Sequence, residues 1–287
     1  MQSRLPVWFK QELPDSSAKE LQKQLKTNRI HTVCEEARCP NINSCFKQHT
    51  ATFLILGDRC TRSCAFCAVK KASSRLVLDL DEPRRIAQAI AAMGLAHAVI
   101  TSVTRDDLED GGAQMFINTI EAIRKISPKT KIELLIPDLQ GKRESIKAVL
   151  EATPDVLGHN LETVKRLYAV ARRQADYRRS LELLKFVKEF NPRMITKSSL
   201  ILGLGESNAE LMRAMQDLKL SGCDVLILGQ YLCPSIKHYP VKEFVSLEKF
   251  QQLEESAKEM GFLKVLCTPK ARFSYQAAGI YEELNYA

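Results

Sequence analysis

Cys60, Cys64 and Cys67 fall in the run CTRSCAFC, with C-x3-C-x2-C spacing. Three thiolates in so short a loop can hold three irons of a [4Fe–4S] cube and leave the fourth iron without a protein ligand. A small molecule carrying an amine and a carboxylate can chelate that iron. Just upstream, Cys34, Cys39 and Cys45 follow C-x4-C-x5-C spacing in CEEARCPNINSC. This second triplet implies a second cluster with one non-cysteine position. Structural zinc usually takes four ligands, commonly as two C-x2-C-type pairs. Only one such pair exists here, although zinc completed by His31 or His49 stays open for the upstream triplet. Cys223, Cys233 and Cys267 read as structural thiols.

The elements that must position these cysteines alternate along the chain. TFLIL, from Thr52 to Leu56, reads as a strand ending at Gly57, and the second triplet's downstream neighbour loop follows it. Helices are expected over 82–93, 112–126, 143–152, 175–190, from Ser207, and over 246–260. Strands are expected over 96–101, 131–136, 155–157, 194–202, 224–228 and 262–267. Pro83 in a first turn, Gly94 and Gly261 just past helix ends, and a capping box from Ser207 to Glu210 set boundaries. Strands alternating with helices imply parallel βαβ units. The expected architecture is α/β: a partial or full (β/α) barrel of about six units, residues 51–262. An irregular, polar N-terminal extension, 1–50, with some helix expected between Ala18 and Lys26, and a C-terminal tail, 263–287, flank it. Chemistry in such barrels sits at the C-terminal ends of the strands. The cysteine loop, the TSVTRDD segment, His159-Asn160 and Gly203-Leu204-Gly205-Glu206 all follow predicted strands directly.

Composition narrows the class. No stretch approaches the roughly 20 apolar residues a membrane span needs. The first residues lack the apolar region of a secretory signal. An odd count of nine cysteines fits a reducing compartment better than a disulfide framework, so the protein is expected to be cytoplasmic. The net charge of +8 is spread along the chain, which reads as a solvated, mildly basic enzyme without a nucleic-acid or membrane partner.

The first triplet, with Phe66 before its third cysteine, carries the signature of the radical S-adenosylmethionine superfamily. Both triplets together resemble the lipoyl synthase family. So do the words HTVCEEARCPN, FLILGDRCTRSCAFCAV, ITSVTRDDLEDGGA, LLIPDLQG, GHNLETVKRLY, ADYRRSLELL and LILGLGES, over about 29–275. The resemblance implies two [4Fe–4S] clusters with S-adenosylmethionine as cosubstrate. It implies a 5′-deoxyadenosyl radical, and insertion of two sulfurs at C6 and C8 of an octanoyl chain. That chain is borne by a lysine of a lipoyl carrier protein or E2 domain, and the auxiliary cluster is the sulfur source. An electron donor such as flavodoxin or ferredoxin is implied as well.

The same resemblance makes Ser274, in Arg272-Phe273-Ser274-Tyr275, the fourth auxiliary ligand. Phe273 departs from the family's Arg-Ser-Ser-Tyr, and Cys267 is a competing ligand. For S-adenosylmethionine, Gly111 and Gly112 offer backbone that can approach the methionine closely, with an ordinary helix-start turn as the alternative. Asn160 and Glu162 resemble ribose-contacting positions of biotin synthase. Gly203, Gly205 and Glu206 follow the fifth strand, where the superfamily places adenine-side contacts. Lys197 is expected to reach a carboxylate or point to solvent. His238 is the candidate to contact substrate. Three other readings stand beside this one: a tRNA methylthiotransferase, a zinc-stabilised binding protein, and a degenerate member of the family. Only 33 residues precede Cys34, too few for the larger first domain that methylthiotransferases carry.

Overall fold

A computed structural model describes residues 5–6, 9, 13–48, 50–73 and 76–286. His49 lies outside the described residues. In chain order the strands are β1 (His31–Thr32), β2 (Thr52–Ile55), β3 (Arg59–Cys60), β4 (Lys70–Lys71), β5 (His97–Ser102), β6 (Lys131–Leu135), β7 (Val156–Gly158), β8 (Ile195–Leu202), β9 (Val225–Gln230) and β10 (Lys264–Cys267). The main sheet runs β1-β2-β5-β6-β7-β8-β9-β10. All its pairings are parallel except β1 on β2. Parallel neighbours need crossovers, and each is a helix. The crossover helices are Glu82–Ala92, Ala113–Ile126, Arg143–Glu151, Tyr177–Phe190, Asn208–Leu220 and Leu247–Glu259. Six βα units therefore form an open, partial barrel whose free edges are β1 and β10.

Alternation along the strands sends side chains to two cores. On β9, Leu226 and Leu228 join the large core beneath the outer helices, whereas Val225 and Ile227 face inward. On β5, Ala98 and Ile100 go out and Val99 goes in. The expected capping box is present, with Ser207 accepting from Glu210 N and Glu210 accepting from Ser207 N.

Two regions correct the expectations. The N-terminal extension holds more than the helix expected between Ala18 and Lys26. It folds into helices Ser16–Thr27, Val33–Glu36 and Ile42–Lys47 around β1, with Asp15 and Thr32 as N-caps of the first two. The C-terminal stretch is not a simple tail. Ala271, Phe273 and Ala277 fill the inside of the barrel against Val225, Ile227 and Val99, and helix Ala277–Tyr286 follows. Extension and C-terminal stretch meet where the barrel is open. Asn41 Nδ2 donates to Lys270 O at 2.7 Å, and Thr52 Oγ1 donates to Ser274 Oγ at 2.6 Å.

Candidate functional site

The first cysteine loop leaves β2 through a left-handed turn at Leu56 and Gly57 (φ 68° and 82°). Buried Glu82 accepts from both of their N–H groups, at 2.7 and 3.2 Å. Burial pushes that carboxyl above its ordinary range. The loop is then stitched at its base by β3 and β4. Thr61 N donates to Thr104 O, Ala65 N to Ala171 O, and Tyr239 N to Ala65 O. Arg62, inside CTRSC, is almost fully buried and doubly paired. Its Nε and Nη2 bond Asp106 at 2.7 and 2.8 Å, and its Nη1 and Nη2 bond Asp138 at 3.0 and 2.6 Å. Bidentate pairing of this kind fixes direction as well as distance. Burial works to raise the Asp138 carboxyl, but the Arg62 bonds and charge outweigh it and hold the group at about 2. Sequence reasoning missed Arg62 and Asp138. The available signal was an arginine between two ligating cysteines and an aspartate three residues past a strand end.

The three thiols of this loop are close enough to couple electrostatically. Burial pushes Cys64 up and Cys67 up to about 12, and the neighbouring thiols add to both shifts. Such thiols act as thiolates only beside a cation. Arg172 supplies positive charge next to Cys64, and its guanidinium lies 5.5 Å from the Tyr168 ring centroid. Glu162 sits in the same space in left-handed backbone (φ 65°), and burial raises its carboxyl against the pull of Arg172. Asn160 Nδ2 donates to Glu162 Oε1 at 3.0 Å, while Asn160 Oδ1 is buried with no partner. A buried spare acceptor of this kind asks for a donor from a ligand.

The second triplet converges with the C-terminal stretch. Cys34 is buried, which pushes its thiol to about 12; Cys39 and Cys45 add to the shift and Thr52 opposes it through hydrogen bonds. Thr52 thus touches both Cys34 and Ser274. Burial raises Cys39, and Arg272 beside it opposes the rise. Arg272, its basicity lowered by burial, is charge-coupled to both Cys39 and Glu162. The loop after β9 bridges both cysteine segments, with Pro234 O accepting from Arg38 and Tyr239 bonded to Ala65. All nine cysteines are free of disulfides. Among the described residues, no three His, Cys, Asp or Glu side chains converge on a single-ion geometry. Thiolates on separate irons of a cube need no such convergence, whereas tetrahedral zinc draws its ligands to about 2.3 Å from one point.

Other expected positions fall elsewhere. Lys197 reaches a carboxylate, but that carboxylate is Glu133, at 2.8 Å inside the barrel. Lys197 is 1% exposed, so contact with S-adenosylmethionine is corrected to a role within the barrel interior. Gly111 and Gly112 both have positive φ, and Gly112 caps the helix Ala113–Ile126. A Cβ on Gly112 would lie 2.4 Å from Leu56, and one on Gly111 3.2 Å from Leu139, so the pair forms the helix-start turn. Glu206 accepts from Gly203 N and Leu204 N and knots its own loop. Gly203 is needed there because a Cβ would strike Glu243 O at 2.3 Å, while beside Gly205 the nearest atom is Lys242 Cγ at 3.3 Å. Cys267 is bonded to Phe250 O at 3.1 Å and packs in the outer core, as a structural thiol does. His238 Nδ1 is 2.8 Å from Ser235 Oγ in the bridging loop.

An open (β/α) barrel with this cysteine loop defines a radical S-adenosylmethionine enzyme, and the radical SAM superfamily profile matches residues 54–218. Solved structures share the fold. Methylornithine synthase superposes with a TM-score of 0.54 at 13% identity, covering 88% of this chain and 82% of that one. Streptococcus suis SuiB bound to its precursor peptide gives 0.57 at 12% identity, covering 94% and 58%. A profile for the N-terminal domain of lipoyl synthase matches residues 1–39. The lipoyl synthase of Caldicellulosiruptor saccharolyticus is 49% identical over 96% of this chain and 97% of its own. That of Geotalea uraniireducens is 51% identical over 96% of each. The chain belongs to the lipoyl synthase family, and it is a radical SAM sulfur-inserting enzyme.

Proposed function

We propose that this chain inserts two sulfur atoms, at C6 and C8, into an octanoyl group carried on a lysine of a lipoyl carrier protein or E2 domain. Cys60, Cys64 and Cys67 hold one [4Fe–4S] cluster, and Cys34, Cys39, Cys45 and Ser274 hold the other. When bound, the first supplies the electron that cleaves S-adenosylmethionine to a 5′-deoxyadenosyl radical, and the second supplies sulfur. A reductant of the flavodoxin or ferredoxin type delivers that electron. The cytoplasm, where free thiols persist, is the fitting compartment.

One observation carries this reading. The Ser274 hydroxyl lies 2.6 Å from Thr52, which also bonds Cys34, although Ser274 and Thr52 are 222 residues apart. The N-terminal extension 1–50 and the C-terminal stretch 263–287 thereby build one site on the flank of the barrel 51–262. The chain's own residues set up the remainder. Asn160 offers its unpartnered Oδ1, and Glu162 its carboxylate, to the hydroxyls or ammonium of S-adenosylmethionine. The Gly203–Glu206 loop, kept narrow by its glycines, lines the adenine side. Gly111 and Gly112 shape the wall behind the cysteine loop. Arg172 and Arg272 offset the negative charge that six thiolates bring into a partly buried space. His238, on the loop that bridges both cysteine segments, is placed to meet the incoming substrate arm.

The test is anaerobic reconstitution with iron and sulfide, then reaction with S-adenosylmethionine, a strong reductant and an octanoyl-lysyl peptide. The peptide should gain two sulfurs, with 5′-deoxyadenosine released. Replacing Cys34, Cys39 and Cys45 by alanine should remove about half the bound iron, leaving one cube of four, and should abolish sulfur insertion while 5′-deoxyadenosine still forms. Retention of all the iron in that variant would show the second cluster to be misassigned.

A further inference from the structure

Phe273 stands directly before Ser274, and its surroundings are unusually specific. The ring is 6% exposed and lies inside the barrel with Val99, Ala277 and Leu135. Its far edge occupies the place where a side chain on β7 would begin. A Cβ on Gly158 would sit 2.2 Å from Phe273 Cζ and 2.4 Å from Cε2. Gly158 has no positive φ to explain it, so the missing side chain serves this contact. The face of the same ring receives a cation, with Lys197 Nζ 4.6 Å from its centroid. A cation over a ring face strengthens as both partners leave water.

Lys197 is itself immobilised. It bonds Glu133 Oε1 at 2.8 Å, and Glu133 Oε2 pairs with His97 Nε2 at 3.0 Å, all three side chains being no more than 4% exposed. Burial works to raise the Glu133 carboxyl, and Lys197 and His97 overcome it and hold the group ionised. The His97 ring lies against Tyr281 at 5.5 Å, so the network grips the C-terminal stretch on both sides of Ser274. A buried charge network is a poor source of stability and a good source of fixed geometry.

We propose that Gly158, Lys197 and Phe273 form a lock that sets the position of Ser274 against Thr52 and Cys34, so that Phe273 and Lys197 are positioning residues for the auxiliary-cluster ligand. This deepens the cluster reading above and rests on it. The ring in its glycine slot fixes the backbone one residue before the ligand. Thr52 Oγ1 then donates to Ser274 Oγ at 2.6 Å. The lock also accounts for phenylalanine where the family pattern carries serine: the ring fills interior space that a serine would leave empty.

The test uses the full chain with Cys60, Cys64 and Cys67 replaced by alanine, reconstituted so that only the auxiliary site is loaded. Iron per chain and the electron paramagnetic resonance spectrum of the reduced cluster are the readouts. Ser274→Ala should change the spectrum, because one iron loses its oxygen ligand. Gly158→Ala should shift the spectrum the same way, with the serine still present. The double variant Gly158→Ala, Phe273→Ser removes the clash but also the ring that fixes the backbone before Ser274, so it should not return the spectrum to the parent form. A folded Gly158→Ala variant with the parent spectrum overturns the lock. If Ser274→Ala alone leaves the spectrum unchanged, the serine-ligand reading fails instead, and the two failures are distinguishable. Should Gly158→Ala not fold, Phe273→Ala leaves a cavity rather than a clash. In the metal-free chain it should raise amide hydrogen exchange across 271–276 at least tenfold, and exchange equal to the parent's overturns the proposal.

Discussion

Asp138→Asn tests how firmly the first cysteine loop is held. Asp138 is 0% exposed, accepts hydrogen bonds from Arg62 at 2.6 and 3.0 Å, and forms an ion pair with Arg179 at 3.1 Å. Its carboxyl lies at about 2, against an ordinary 3.8. At about 1.4 kcal/mol per pKa unit, the ionised form contributes about 2–3 kcal/mol to stability at neutral pH. Because the folded value is depressed, that contribution is fully present above about 3.8 and is lost as pH falls through about 2. Breaking a buried pair outright costs about 3–5 kcal/mol. Asparagine keeps an acceptor for Gln140 N, and Arg62 keeps Asp106, so the lower figure applies. Urea denaturation of the metal-free chain at pH 7 should show a loss of about 2–3 kcal/mol. The variant should also lose part of the parent's decline in stability between about pH 4 and 2. A loss below about 1 kcal/mol, or an identical acid limb, would refute the reasoning.

Gly112→Ala places a Cβ 2.4 Å from Leu56 Cδ1 at φ +95°, so strain and overpacking together should cost about 2–4 kcal/mol in the same denaturation assay. Burial, followed by the Arg172 charge, pushes the His159 imidazole down to about 4, and Nδ1 donates to Ile136 O, so the ring is neutral with Nε2 facing Ser180. Its folded value lies below 6.5, so about 3 kcal/mol of stability should fade as pH falls from about 6.5 to 4, and its NMR titration should fall near 4. Asn160→Ala removes the spare buried acceptor and should weaken S-adenosylmethionine binding about tenfold by calorimetry, near 1.4 kcal/mol, with little effect on iron content.

The barrel was legible because each unit announces itself locally. Apolar strand runs, Pro83, the Ser207–Glu210 box and the helix-ending glycines are short-range signals, and observed boundaries lie within a few residues of the expected ones. Of the N-terminal helices, the first, Ser16–Thr27, was legible between Ala18 and Lys26, and the two short ones after it were not. Val33–Glu36 and Ile42–Lys47 are too short to show a 3.6-residue period, and they form where β1 and the cysteine segment fold onto β2. Lys197 was placed on the right strand with the wrong partner, since Glu133 is 64 residues away on another strand. The C-terminal filling of the barrel escaped for a like reason: AAGIYEELNY carries a glycine and a weak apolar stripe, and only the barrel interior gives it a partner. Both cysteine triplets were legible from spacing alone. Their setting, with Arg272 charge-coupled to Cys39 and Glu162 and Thr52 joining Cys34 to Ser274, depends on contacts between distant parts of the chain.

That long contact also sets an order of events in the cell. Ser274 is made 222 residues after Thr52, which at about 5–20 residues per second is roughly 10–45 s of synthesis. Throughout that interval Cys34, Cys39 and Cys45 are translated but lack the strand and hydroxyl that complete their setting. The Thr52–Ser274 contact can therefore form only after the whole barrel has been translated.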